Sequence, residues 1–183
     1  MAMDTRGRAA GVVGGAVAWV LGYVFTYLIV APDVRNSLGS RVLEIFAGDP
    51  ATLEIVGWVF YNAHLVQTVF SDILIPGSSS EAFIGGDPGF TPLLYAVPVA
   101  LLLAAGLAAG RIQGTDEPGA GIVAGLAVVP AYFVLTLAGV FLFAIEIGGG
   151  TAGPDLITSV VVAGIAYPAI AGGLGGAIAG YTA

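Results

Sequence analysis

The chain has 183 residues, 57% of them hydrophobic and only 9% charged, with twelve acids, five basic residues, one histidine and no cysteine. A water-soluble domain carries about 25% charged residues, so this composition excludes a soluble globule, and its hydrophobicity excludes intrinsic disorder. A net charge of -7 with five scattered arginines excludes a nucleic-acid-binding surface, and zero cysteine excludes disulfides, thiolate metal sites and cysteine catalysis.

What remains is an integral membrane protein with the lipid bilayer as its partner. All basic residues are Arg, and there is no Lys. An acidic, lysine-free chain fits a high-salt environment, where carboxylates hold water and salt screens their repulsion. It also fits a GC-rich genome.

A helix needs about 20 apolar residues to cross the hydrocarbon core. The first such stretch runs from about Ala9 to Ala31, and Pro32 is expected to close it. It follows Arg6 and Arg8 but is too long for a signal-peptide core, so it reads as a retained anchor.

Residues 32–90 form a long first loop. A short amphipathic stretch at about Ser37 to Ala47 ends at Gly48-Asp49-Pro50. Asp49 as N-cap and Pro50 at the first position start a helix expected from Ala51 to about Leu74. On a helical wheel one arc holds Val56, Val59, Ala63, Val66, Val69, Phe70, Ile73 and Leu74. The opposite arc holds Glu54, Gly57, Tyr61, His64, Gln67, Thr68, Ser71 and Asp72, and Asn62 alone falls in the wrong arc. The preferred reading is an amphipathic outer helix, interfacial or partly embedded. A fifth span with its polar stripe turned inward is the alternative. Pro76 to Pro88 reads as a polar, turn-rich loop.

Three further spans follow at about Pro92–Gly110, Pro118–Ile145 and Leu156–Tyr181. Thr91-Pro92 and Glu117-Pro118 place Pro at the first helical position, and Asp155 is an N-cap. The expected architecture is therefore all-α: one membrane domain over 1–183, a bundle of four transmembrane helices plus the outer helix. Arg6, Arg8 and Arg111 against Arg35 and Arg41 place both termini in the cytoplasm.

Glycine is frequent, 29 of 183, and recurs four residues apart, as at Gly172, Gly176 and Gly180. Small residues at that spacing let helix backbones approach closely. This favours packing within one bundle, with homo-oligomerisation through the same Gly-rich faces as the second reading. Three spans carry an internal Pro with a Tyr nearby: Tyr95 and Pro98, Pro130 and Tyr132, Tyr167 and Pro168. Each Pro frees a carbonyl that a Tyr hydroxyl is placed to satisfy. Broken helices also build mid-membrane transporter sites.

The central parts of the four spans contain no ionisable acid, base or histidine, which argues against a proton relay or voltage sensor. Candidate binding residues are thus Tyr61, Asn62, His64 and Gln67 on the two-faced helix, with Pro98, Pro130 and Pro168 at the breaks. A lone His makes a poor metal site, and no nucleophile, phosphate loop or dinucleotide motif is present. No catalytic residue, metal or cofactor is expected, and Asn62 and His64 read first as polar contacts that fix the helix to the bundle.

The run Gly57-Trp58-Val59-Phe60-Tyr61-Asn62-Ala63-His64, with Gly22-Tyr23 and Thr26-Tyr27, resembles an uncharacterised family of small multi-pass membrane proteins of halophilic archaea. That resemblance implies a membrane location and a haloarchaeal source, and no mechanism. Some members are loosely labelled transporters. The expected function is structural or accessory; a transporter or channel-like protein for a neutral solute is the alternative.

Overall fold

The structure is a computed structural model that describes residues 5–37, 51–73, 76–85 and 89–183. Four long helical segments dominate it, each apolar and long enough to cross a bilayer by length and composition. The first is α1 (Thr5–Asn36). The second enters through a 3-10 turn (Pro92–Tyr95) and continues as α3 (Ala96–Gln113). The third is α4 (Pro118–Gly125), a 3-10 turn (Leu126–Val128) and α5 (Val129–Leu142). The fourth starts as α6 (Leu156–Thr158), widens into two π-helical stretches (Ser159–Ala166 and Pro168–Gly172) and ends as α7 (Gly173–Tyr181). Between the first two lies a short helix, α2 (Thr52–Asn62).

The expected start signals work at the last three segments. Thr91 Oγ1 accepts from Leu93 N, Glu117 precedes Pro118 in an extended conformation, and Asp155 Oδ1 accepts from Thr158 N at 2.8 Å. Pro32 does not close α1. It sits inside the helix, which runs on to Asn36, because a Pro costs the ladder only the bond from its own missing N–H; at the helix end Asn36 Nδ2 donates to the Pro32 carbonyl.

Two expectations for the connecting segments are corrected. The fold is not purely α: strands β1 (Thr68–Ser71), β2 (Ser78–Glu81), β3 (Ile145–Ile147) and β4 (Gly150–Pro154) form an antiparallel sheet in the order β2-β1-β4-β3. Thr68 faces Pro154 and Ser71 faces Thr151, so the first and third connections are stitched together at one end of the bundle. The third long segment accordingly stops at Leu142, short of Ile145. The helix expected to run from Ala51 to Leu74 stops at Asn62. His64 N and Val66 N both donate to the Tyr61 carbonyl, Leu65 turns with φ 63°, and the β-branched and aromatic run Thr68-Val69-Phe70 continues as strand. The expected helix at 37–47 and the Asp49-Pro50 start fall outside the described residues, apart from Ser37.

At the end opposite the sheet the chain closes through glycine. A Cβ on Gly106 would stand 2.0 Å from the Gly172 carbonyl oxygen, and one on Gly121 would stand 2.1 Å from that of Gly176. Gly15 meets the Val128 carbonyl oxygen in the same way, at 2.1 Å. At this far end the Gly7 backbone abuts the Gln113 side chain, and Arg111 Nη2 donates to Thr182 Oγ1 at 2.6 Å.

Candidate functional site

The sheet half of the bundle is closed differently, by α2. Half of the expected polar arc does not face solvent: Gly57, Tyr61, His64 and Thr68 are buried, as are Trp58, Val59, Phe60 and Asn62, whereas Glu54 and Ser71 are half-buried and Gln67 and Asp72 exposed. The buried half is polar because it meets polar backbone inside the protein. Trp58 Nε1 donates to the Phe143 carbonyl at 2.7 Å, Tyr61 Oη donates to the Thr136 carbonyl, and Tyr23 Oη on α1 donates to the Leu53 carbonyl at 3.1 Å. Gly57 is required by space, since a Cβ there would collide with the Phe143 ring.

His64 lies just beyond the end of α2, only 1% exposed. Its Nδ1 is 2.8 Å from the Phe60 carbonyl oxygen, which only accepts, so Nδ1 carries the proton. Nε2 of the neutral ring then accepts from Tyr132 Oη at 2.5 Å. The ring also packs on Tyr167, with centroids 5.1 Å apart, and edge-on to Phe60 at 4.8 Å. Tyr132 lies ten residues before the end of α5, about 15 Å along the helix axis, so the tip of α2 reaches well down the bundle.

Asn62, the residue in the wrong arc, organises the exit from the helix. Its Nδ2 donates to the Val66 carbonyl at 2.7 Å and approaches Thr68 Oγ1 at 3.5 Å, while its Oδ1 accepts from Phe83 N at 2.7 Å. Gln67 does not join the site. It is exposed, and only its backbone acts, accepting from Asp155 N at 3.0 Å.

The three prolines do not converge into one cavity. Pro98 and Pro168 are buried, whereas Pro130 is exposed on the outside of the bundle. Each accompanies a change of helical winding: a 3-10 turn just before Pro98 and Pro130, and a π-helical stretch starting at Pro168. Pro cannot donate to the ladder, so the winding tightens or widens around it. Tyr132 does not satisfy a freed carbonyl, because its hydroxyl is committed to His64. Pro130 and Pro168 matter here chiefly as sequence neighbours of Tyr132 and Tyr167.

Residues the sequence reading did not single out complete the site. Trp19 and Tyr23 of α1 stack with Phe143 and meet Phe60 edge-on. Thr136 and Ser159 are 1% and 0% exposed, and both side-chain hydroxyls lack a partner among the described residues. No group of three metal-binding side chains occurs among the described residues. Chemically, the site holds a helix in place with neutral hydrogen bonds and ring contacts; no residue in it is arranged as a nucleophile with its base.

A family described as "Family of unknown function (DUF7978)" matches residues 3–183. No curated protein and no solved structure matches the chain.

Proposed function

We propose that this chain, which belongs to the DUF7978 family, is a four-span integral membrane protein with a structural or accessory role. In this reading α2 is a partly embedded plug on the outer side. The observation that carries it is the contrast in length: four apolar helices of 22 to 30 residues against an α2 of 11. Eleven residues rise about 16 Å, half of the hydrocarbon core, so α2 enters and the chain returns to β1. The pairing of β1 with β4 supports a shared side for the first and third connections.

Arg8 and Arg111 belong to the far end, which the reading assigns to the cytoplasm together with both termini. Nine of the twelve acids then fall between residues 33 and 87 or between 146 and 155, with two of the five arginines, so the net negative charge lies outside. The glycine contacts count against the alternative, a carrier or channel for a neutral solute: α3, α4 and α7 leave no room for even one added carbon at Gly106 and Gly121. Homo-oligomerisation is disfavoured for the same reason, since these Gly faces are already occupied within the chain. The reading assigns no catalysis to His64, whose two ring nitrogens are both engaged.

Topology is the test, and the absence of native cysteine makes it clean. Thr5→Cys and Gly114→Cys are expected to label from one side of sealed vesicles with an impermeant thiol reagent. Ser80→Cys and Gly149→Cys are expected to label from the other. Position 80 sharing its side with position 5 would support the five-span arrangement and sink this one.

A further inference from the structure

His64 is the chain's only histidine, and its surroundings accept one protonation state. Nδ1–H is donated to the Phe60 carbonyl, and Nε2 uses its lone pair for the Tyr132 hydroxyl. A second proton on Nε2 would leave that hydroxyl facing a donor with its own hydrogen displaced from its acceptor. Among the described residues nothing nearby compensates the added charge. The ring faces Phe60 of its own element, Tyr132 of α5 and Tyr167 of the π-helical stretch. The α1 rings behind Phe60 are Trp19 and Tyr23. None carries charge in the acid range, and among the described residues no carboxylate or guanidinium acts on the imidazole.

The next residue is poised for movement. Leu65 holds φ 63° and is 64% exposed. A branched side chain in the left-handed region is strained, and such strain gathers where segments switch. It persists here because the hydrogen bonds on either side of it, from His64 to Tyr132 and from Asn62 to Val66 and Phe83, hold the turn in place.

We propose that protonation of His64 releases α2 from the sheet half of the bundle, making the plug acid-sensitive. This rests on the reading of α2 as an embedded plug. Burial holds the imidazole down at about 4, against an ordinary 6.5. A value lowered by docking means that docking is at full strength above the ordinary value and weakens as the pH falls below it. Docking therefore weakens progressively as the pH falls below the ordinary imidazole range. Release relieves Leu65 and breaks the bond from Tyr61 to the Thr136 carbonyl.

The test uses the full chain in phosphatidylcholine nanodiscs. Its only two tryptophans, Trp19 and Trp58, both pack at the plug, so acrylamide quenching of their emission reads docking directly. Labelling histidine with 15N yields a single imidazole whose titration is followed in the same sample. Protection at pH 8 is expected, then a rise in quenching between pH 6.5 and 4 that coincides with imidazole protonation and is absent in His64→Gln. An imidazole that protonates while the tryptophans stay protected overturns acid release and leaves the plug standing. So does protection down to pH 4. An equal rise in His64→Gln assigns the effect to carboxylates and overturns it as well. Should His64→Gln fail to fold, quenching of wild type at a pH where its imidazole is still neutral has the same force. Strong quenching already at pH 8 overturns the plug itself.

Discussion

At the far end of the bundle α3, α4 and the last part of the fourth segment meet backbone to backbone, and no side chain fits between Gly106 and Gly172 or between Gly121 and Gly176. At the sheet end the helices are held apart by rings: Trp58 and Phe60 of α2, with His64 just beyond it, wedge among Trp19, Tyr132, Phe143 and Tyr167. Both closures exclude space, but they differ in chemistry. The glycine contacts set backbone against carbonyl oxygens with no side chain between. The ring contacts are tied by hydrogen bonds to backbone carbonyls, hinge on a strained Leu65 and include the one titratable group, apart from tyrosines, that is buried among the described residues. The difference teaches that small residues make a fixed seam, whereas an inserted helix makes a closure whose strength depends on conditions.

The largest effect is expected from breaking the inserted closure at its biggest ring. Trp58→Ala removes a nearly fully buried indole and its bond to Phe143, and is expected to cost about 3–5 kcal/mol in thermal or denaturant unfolding. Breaking the seam comes next. Gly106→Ala puts a methyl against the Gly172 carbonyl and is expected to cost about 1–3 kcal/mol. Unlike Trp58→Ala, which should open Trp19 to acrylamide, it should leave the access of both tryptophans unchanged at neutral pH. Tyr132→Phe strips the donor from His64 Nε2 and is expected to lower stability by about 1–3 kcal/mol. The smallest effect distinguishes paired from unpaired polar groups. Thr136→Val removes only a hydroxyl without a partner and is expected to be neutral or to stabilise by up to about 1 kcal/mol. A loss as large as that of Tyr132→Phe would mean that the hydroxyl has a partner.

The apolar helices were legible because uninterrupted apolar runs and Pro or Asp at their starts are local signals. The seam was legible too, since glycines four apart read directly as a groove. The sheet was missed despite a local sign. Ile145-Glu146-Ile147 alternates before Gly148-Gly149, both at positive φ (58° and 89°), the pair that a two-residue hairpin turn requires. The apolar content of Ile145 and Ile147 instead extended the third span. Helical spacing places Tyr61 and His64 on one face, but an amphipathic outer helix would turn part of that face to water. On an embedded helix the polar face turns toward carbonyls such as those of Thr136 and Phe143, and no local pattern names these partners. Asn62 looked like an error in the wheel because its bonds to Val66 and Phe83 close a turn that the wheel assumed absent.

The most direct test of the account is a cross-link between α2 and the end of α5. Gly57 approaches the Phe143 ring so closely that a Cβ would overlap it, which places the two backbones within disulfide range. In membranes, Gly57→Cys with Phe143→Cys is expected to oxidise to an intramolecular disulfide, unlike either single variant. Two thiols that stay free under oxidant and both react with an impermeant reagent would contradict the insertion of α2.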